Sequence, residues 1–272
     1  MDRCFSTLIF RAQRDGNFSE HERMLSVFAS RMLHFTSIPI VVMHAGHINA
    51  SNVLESVDPF GRLRFVRVEL IDLATNNTIA RYRHHYTKLN AWRLPCKRVA
   101  LFDYDGFAVQ PLDSIFDACG DDNELCAVRE FWAMRGLARE AGIQREEYFN
   151  SGVLVLRPSN ATFERLFRAA SLERQLGAPR KIGEQDFLNV AFPEWKEINR
   201  SYNVQGGSWR RDGLEESARS GRAHFVHERV ERHPPYFAQH LMCRPRLDPT
   251  CTAKRGRDAF GCCQDVQPPY VT

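Results

Sequence analysis

Two acidic side chains, Asp103 and Asp105, directly follow the apolar run 99–102. The run predicts a buried strand, and open α/β sheets bind ligands at the carboxyl ends of their strands. Residues i and i+2 of an extended chain point the same way, so both carboxylates can converge on one hard divalent cation. Such a cation can neutralise a diphosphate in a substrate or in a leaving group. The alternative interpretation is a pair of solvated acids that open a turn at Gly106.

Strand-like and helix-like segments alternate along the chain, and this alternation predicts the fold class. Apolar runs and alternating patterns predict strands at 5–10, 38–43, 63–70, 98–103, 125–129 and 152–157. Apolar residues at helical spacing predict helices at 19–33, 84–94, 111–118, 163–172 and 184–192. We therefore expect an α/β fold with a mostly parallel central sheet and helices on both faces. Residues 1–237 are expected to form this domain, followed by a Cys-, Pro- and Arg-rich tail over 238–272.

The composition is that of an ordinary globular protein. Of the 272 residues, 43% are hydrophobic and 26% are charged, which excludes a disordered or fibrous chain. The net charge of +4 is spread along the chain among acids, so no nucleic-acid partner is expected. No apolar run approaches the roughly 18 residues that cross a bilayer, and the N-terminus does not resemble a signal peptide. We expect a cytoplasmic protein on the chain as given, with a secretory lumen as the alternative if the chain is a fragment.

Eight cysteines bear on the compartment. No two of them are spaced as Cys-x-x-Cys, so a structural zinc site is not expected. The first four lie in apolar context and are predicted to be buried thiols: Cys4, Cys96, Cys119 and Cys126. The last four cluster in the tail and could be joined by disulfides, which need an oxidising compartment. Glycosylation would also need a lumen, and Asn-x-Ser/Thr sequons begin at Asn17, Asn49, Asn76, Asn160 and Asn199.

The acidic strand end permits an interpretation as a phosphatase. The run 102–106 (Phe-Asp-Tyr-Asp-Gly) resembles the opening motif of haloacid-dehalogenase-type phosphatases, in which the first aspartate is the nucleophile and the second a general acid. That motif normally ends in threonine, where this chain has Phe107, and it normally lies near the N-terminus. No later acidic pair follows an isolated lysine in the expected order. The phosphatase is therefore the alternative enzyme hypothesis.

A series of ordered blocks resembles the glycogenin-like glycosyltransferases of family 8. The blocks follow the family's order and span residues 86–236. They are Tyr-Thr-Lys-Leu-Asn-Ala-Trp at 86–92, the acidic strand end at 98–105, Pro-Leu-Asp-Ser-Ile-Phe at 111–116, Tyr-Phe-Asn-Ser-Gly at 148–152, Gly-Glu-Gln-Asp at 183–186, Tyr-Asn-Val at 202–204 and His-Phe-Val at 224–226. The resemblance implies a GT-A-type nucleotide-sugar-binding fold.

The resemblance also implies a metal-dependent retaining transferase, which moves a hexose from a UDP-sugar to a hydroxyl group of a carbohydrate or protein acceptor. The Asp-x-Asp pair, Asp103 and Asp105, would hold Mn²⁺, with Mg²⁺ as the alternative. His224 would be the third protein ligand. Two carboxylates and an imidazole leave positions open for diphosphate oxygens. His227 lies three residues on and is the competing candidate.

Further residues would contact the donor if the resemblance holds. Lys88 would meet the nucleotide–sugar region, where a cation suits a diphosphate, and Arg81 and Arg83 are further candidates for that role. Arg232 or His233 would supply another cation after the late histidine. The remaining donor-binding residues are expected to be Tyr104, Glu130, Asn150 and Ser151.

The predicted catalytic pair is Gln185 and Glu184. Gln185 would lie close to the anomeric carbon on the reacting face, and Glu184 replaces the aspartate that the family usually carries. No nucleophile is assigned, because a glutamine is a poor one. The first strand ends in Phe10 and Arg11 instead of the small polar residues that usually cradle the nucleobase. An inactive nucleotide- or carbohydrate-binding module is the hypothesis without catalysis.

Overall fold

A computed structural model describes residues 1–11, 19–55, 57–58, 61–76, 78–130, 143, 147–177, 183–205 and 223–227. The predicted boundary between the domain and its tail lies outside the described residues. The four tail cysteines and the predicted donor-binding residues Arg232 and His233 lie outside them as well.

Within the described ranges, ten strands form two sheets. They are β1 (Arg3–Arg11), β2 (Ile40–Gly46), β3 (Leu63–Arg67), β4 (Arg98–Phe102), β5 (Gly106–Ala108), β6 (Leu125–Arg129), β7 (Phe149–Leu156), β8 (Lys196–Glu197), β9 (Val204–Gln205) and β10 (Phe225–His227). The larger sheet has the order β3-β2-β1-β4-β7-β6-β8, and the smaller has the order β5-β10-β9. Strands β1 to β4 run parallel, as do β6 and β8, whereas β7 is antiparallel to β4 and β6. The prediction of a mostly parallel α/β sheet is confirmed.

Helices cover both faces of the larger sheet. They are α1 (Ser19–Phe35), α2 (Ala50–Leu54), α3 (Ile115–Cys119), α4 (Asn160–Gln175) and α5 (Glu184–Ala191), with 3-10 helices at Ala80–Tyr82, His85–Arg93 and Arg200–Tyr202. Alternate residues of β4 enter two separate cores, because successive side chains of a strand point to opposite faces. Ala100 and Phe102 pack with α1 and α3, whereas Val99 and Leu101 pack with α4 and α5. No described helix has both the length and the apolar character that a membrane span requires.

The segment predicted as a helix at 84–94 is a buried 3-10 helix, His85–Arg93. Leu94 leaves the helix with an extended backbone, as expected for a residue that precedes proline. Seven consecutive residues from Tyr86 to Trp92 are buried, so this short helix is enclosed on all sides. Lys88 is one of them, and a lysine in that position needs charged partners.

The first four cysteines are buried as predicted, but the prediction that they are free thiols is wrong. Cys4 is joined to Cys96 and Cys119 to Cys126, with Cα–Cα distances of 6.1 and 5.7 Å. The first pair forms because β1 and β4 are neighbours in the sheet, where Cys4 lies opposite Val99. Sequence separations of 92 and 7 carry no signal of this pairing. The first disulfide ties β1 to the segment that leads into β4.

The Cys4–Cys96 disulfide closes a long loop, and its removal should therefore cost more than removal of the other. We expect the double variant Cys4→Ser/Cys96→Ser to lose about 4 to 5 kcal/mol of unfolding free energy from the loop-entropy term. For Cys119→Ser/Cys126→Ser the same term gives about 2 to 3 kcal/mol. Urea unfolding without reductant measures both. Alkylation of Cys4 or Cys96 in the unreduced, denatured wild type would contradict the pairing.

Candidate active site

The carboxyl end of β4 carries the acidic pair. The backbone N–H of Asp103 donates to the Gly152 carbonyl at 2.8 Å, which fixes this residue beside β7. Asp105 is followed directly by β5, whose partner β10 places His227 opposite Gly106. The antiparallel register of the small sheet therefore brings this histidine to the acidic pair.

Asp103, Asp105 and His227 form a cluster in which one ligand atom from each residue lies within 4.8 Å of the others. The Nε2 atom of His227 is 3.3 Å from Asp105 Oδ1 and 3.8 Å from Asp103 Oδ2. All three residues are partly buried. Two carboxylates and one imidazole are a donor set that suits a divalent cation. These residues therefore fit the metal that the resemblance to family 8 implies.

The histidine beside the acidic pair is His227, and not His224, which the sequence favoured as the third ligand. His224 precedes β10, and its carbonyl oxygen accepts from the Val109 N–H. Val109 follows the end of β5 that is distant from Asp105. Its Nδ1 lies 2.7 Å from the Pro111 carbonyl oxygen, and its ring stacks on Tyr202 at 4.8 Å. Three residues along a strand span about 10 Å, so only one of the two histidines can reach the acidic pair.

The acidic pair controls the charge of His227. Burial by itself lowers the pKa of this imidazole, but the hydrogen bond to Asp105 and the charges of Asp105 and Asp103 outweigh burial and raise the pKa above its ordinary value. A cation that binds here takes the place of that proton, because a histidine ligates in its neutral form.

Lys88 is the central cation of the site. Its Nζ lies 2.8 Å from Asp103 Oδ1, 2.9 Å from Glu184 Oε1 and 3.3 Å from the Ser151 carbonyl oxygen. These three acceptors match the three protons of an ammonium group. Burial alone lowers the Lys88 pKa, but Asp103 and Glu184 outweigh it and raise the pKa. Burial raises the pKa of Glu184, but Lys88 and His85 outweigh it and lower that pKa, so both groups are ionised at neutral pH.

The Gln185 carboxamide is fixed at both ends. Its Oε1 accepts from the Ser151 N–H at 3.0 Å and from the Ser151 hydroxyl at 3.2 Å. Its Nε2 lies 3.3 Å from the Tyr148 hydroxyl and 3.4 Å from Glu130 Oε2. The Ser151 hydroxyl also approaches Glu184 Oε1 at 2.8 Å. Predicted donor-binding and catalytic residues therefore meet in one network.

The network returns from Gln185 to the acidic pair through two asparagines. Asn150 Nδ2 donates to Glu130 Oε2 at 2.7 Å, and Asn150 Oδ1 accepts from Asn203 Nδ2 at 2.9 Å. Asn203 Oδ1 lies 3.0 Å from His227 Nδ1. Six predicted residues belong to this closed arrangement of side chains besides the acidic pair: Lys88, Glu130, Asn150, Ser151, Glu184 and Gln185.

Other predicted donor-binding residues lie elsewhere. The Tyr104 hydroxyl is 2.6 Å from His21 Nδ1 in α1, and the tyrosine packs against the core on that side of the sheet. The described contacts do not place it in the network. Arg83 pairs with Asp72 at 2.8 Å. The side chain of Arg81 lies outside the described residues.

Sequence reasoning gave no role to three residues of the network. Tyr148 is buried, and its hydroxyl donates to Asp186 Oδ1 at 2.5 Å. The Nδ1 atom of His85 lies 3.6 Å from Glu184 Oε2. Asn203 connects His227 to Asn150. The blocks at 148–152 and 202–204 contain Tyr148 and Asn203, but their contacts depend on which strands become neighbours.

Comparison with known proteins identifies the family. The model of the family described as Glycosyl transferase family 8 matches residues 39–227, which is 189 of the 272 residues. The chain belongs to glycosyltransferase family 8. The matched range includes β2 to β10 and every residue of the network.

Two curated relatives come from Arabidopsis thaliana. Galactinol synthase 5 is 28% identical over 160 residues, which cover 50% of this chain and 46% of the relative. Galactinol synthase 6 is 34% identical over 89 residues, which cover 32% of this chain and 24% of the relative. The chain thus matches less than half the length of either relative.

Solved structures share the fold. The galactosyltransferase LgtC, crystallised with donor and acceptor sugar analogs, has a TM-score of 0.61 and 20% identity, over 87% of this chain and 89% of LgtC. Mouse xyloside xylosyltransferase 1 has a TM-score of 0.59 and 12% identity, over 86% of this chain and all of that chain. The GT-A fold expected from the sequence is confirmed.

Lys88→Met should make stability depend on pH, because it leaves Glu184 buried without its cation. We expect a loss of about 3 to 5 kcal/mol near pH 8. In the variant, burial raises the Glu184 pKa, so stability is lost as pH rises through that value and is partly regained toward pH 5. In the wild type the lowered pKa of Glu184 keeps its contribution intact over that range.

Urea unfolding at pH 5 and pH 8 measures this difference. Lys97→Met is the matched control, because Lys97 pairs with Asp2 at 2.8 Å in an ion pair that is exposed on both sides. Exposed pairs contribute about 0 to 1 kcal/mol, so this variant should resemble the wild type at both values of pH. A Lys88→Met loss that is the same at pH 5 and pH 8 would contradict the ion-pair argument.

Proposed function

We propose that this chain is a metal-dependent retaining glycosyltransferase that moves a hexose from a UDP-sugar to a hydroxyl acceptor. The observation that carries the proposal is the convergence of Asp103, Asp105 and His227 with a buried polar network in a family 8 chain. The cluster offers ligands for a cation, and the network offers hydrogen-bonding groups for a sugar. Both lie at the carboxyl end of β4, where α/β sheets bind ligands.

The cation proposed here is Mn²⁺, with Mg²⁺ as the alternative. Asp103, Asp105 and His227 would hold it, and it would supply positive charge for a diphosphate that becomes more negative as the sugar departs. Lys88 stands beside Asp103 and offers a fixed charge in the same region. Because Lys88 is buried and already oriented, its charge needs no rearrangement during the reaction.

The sugar would lie against Glu130, Asn150, Glu184 and Gln185. Glu130 and Glu184 are ionisable acceptors for sugar hydroxyl groups, and the Asn150 amide is held between Glu130 and Asn203. Glu184, Gln185 and Glu130 are almost entirely buried, so a sugar held against them would be shielded from water, which would limit hydrolysis of the donor. Gln185 would face the anomeric carbon with its amide fixed by Ser151 and Tyr148. We assign no covalent nucleophile.

The relatives guide the choice of donor. Galactinol synthase and the galactosyltransferase LgtC carry galactose chemistry in their names, so UDP-galactose is the first hexose donor to test. The phosphatase alternative would require Asp103 as a nucleophile. Both carboxylate oxygens of Asp103 are already held by the Lys88 ammonium, at 2.8 and 3.1 Å, which disfavours a nucleophilic role. The family match also favours the transferase.

We propose further that the chain folds in an oxidising compartment. Two disulfides within the domain are typical of proteins from such compartments and are rare in the cytosol. The secretory-lumen alternative is therefore preferred to the cytoplasmic one.

Release of UDP from a panel of UDP-hexoses tests the function. We expect Mn²⁺-dependent release from at least one donor, abolished by EDTA and reduced at least about 100-fold in Asp105→Asn, which removes a charged metal ligand at the reacting diphosphate. Asp2→Asn is the matched control, because it removes an exposed carboxylate on the surface. This variant should keep wild-type activity.

The other outcomes separate the alternatives. Binding of UDP with Mn²⁺ but without release from any donor, with acceptors supplied, would indicate a binding module. Phosphate-ester hydrolysis without UDP binding would support the phosphatase and overturn the transferase.

A further inference from the structure

We propose that Asn203 is a positioning residue that fixes the tautomer and orientation of His227, so that its Nε2 lone pair faces the metal. The inference rests on the proposed metal site. Asn203 follows the 3-10 helix Arg200–Tyr202 and leads into β9, which pairs with β10. The residue is 1% exposed, so its side chain has few alternative partners.

The direction of each hydrogen bond around Asn203 can be derived from a backbone group. The N–H of Gly152 can only donate, and it lies 2.9 Å from one atom of the Asn150 carboxamide. That atom must be Oδ1, and the other end of the same amide then donates to Glu130 Oε2 at 2.7 Å. The Asn203 atom 2.9 Å from Asn150 Oδ1 must in turn be Nδ2.

It follows that Asn203 presents its Oδ1 to His227. This oxygen accepts only, so the Nδ1 atom of His227, at 3.0 Å, must carry a proton. In the neutral imidazole only one nitrogen is protonated, and Nε2 is then free to donate its lone pair. Nε2 is the atom that faces Asp103 and Asp105. The tautomer that suits a cation at this site is thus selected by a neutral amide.

Gly152 fixes the position of the same ring. A Cβ atom on this residue would lie 2.0 Å from Cε1 and 2.4 Å from Nδ1 of His227, so the imidazole rests directly on the β7 backbone. Gly152 closes one face of the imidazole, and Asn203 is hydrogen-bonded to its Nδ1 atom. Rotation of the ring would therefore break the hydrogen bond to Asn203. A group that hydrogen-bonds to the second ring nitrogen of a metal-ligating histidine typically contributes about 10- to 100-fold in metal affinity.

Calorimetric titration of the full chain with Mn²⁺ alone tests the proposal. Asn203→Leu removes the acceptor, and we expect Mn²⁺ binding to weaken by about 10- to 100-fold. Asn203→Asp keeps an oxygen toward Nδ1 and should therefore bind Mn²⁺ more tightly than the Leu variant. Its second oxygen cannot replace the Nδ2 donor to Asn150, so this variant should also be less stable than the wild type. Asn90→Leu is the matched control, because Asn90 is a buried amide bonded to the Glu69 and Thr87 carbonyls. It should bind Mn²⁺ like the wild type.

The outcomes distinguish a positioning role from a structural one. Thermal unfolding without metal reports on folding, and Mn²⁺ binding that is weaker in the Leu variant than in the Asp variant supports the proposal. Equal affinity in all Asn203 variants, or an equal loss in the Leu and Asp variants, would overturn it. If neither variant folds, ¹⁵N NMR of wild-type His227 with bound Zn²⁺ decides: a proton on Nδ1 supports the proposal, and a proton on Nε2 refutes it.

Asp105→Asn separates this inference from the proposed function. If the wild type binds no Mn²⁺, or if Asp105→Asn binds it equally well, the proposed metal site itself fails. If Asp105→Asn loses binding while Asn203→Leu keeps it, the metal site stands and only the role of Asn203 is wrong.

Discussion

The buried ammonium group of Lys88 is the interaction on which the rest of the site depends. It joins three elements that are distant in sequence: Asp103 after β4, Ser151 in β7 and Glu184 in α5. The Glu184 carboxylate would be costly to bury alone, because an unpaired charge in the interior destabilises the fold. The cation makes it possible for the carboxylates of Asp103 and Glu184 to lie on either side of one buried group.

A second constraint is the register of the small sheet. β10 pairs with β5 so that His227 lies at the acidic end, and Asn203 reaches it from the adjoining β9. The network that runs from His227 through Asn150, Glu130 and Gln185 is made of groups whose donors and acceptors match. Such a network holds each side chain in one orientation, which is the preorganisation that electrostatic catalysis requires.

The fold and most residues of the site could be predicted because their signals lie in short stretches of sequence. The apolar run 99–102 and the Asp-x-Asp pair reveal β4 and the two acidic residues that follow it. The polar pair Asn150 and Ser151 is conspicuous in a strand. His227 and His224 could not be separated, since a shift of three residues matters only once β10 has found its partner. The pairing of Cys4 with Cys96 depends likewise on neighbouring strands. Tyr148 and Asn203 act through contacts across the sheet, which sequence spacing does not encode.

The most direct test is an anomalous diffraction map of crystals grown with Mn²⁺ and UDP. Our interpretation predicts one manganese peak in contact with carboxylate oxygens of Asp103 and Asp105 and with Nε2 of His227, bridged to the diphosphate of UDP. A manganese peak at His224, or UDP bound away from the carboxyl end of β4, would contradict it.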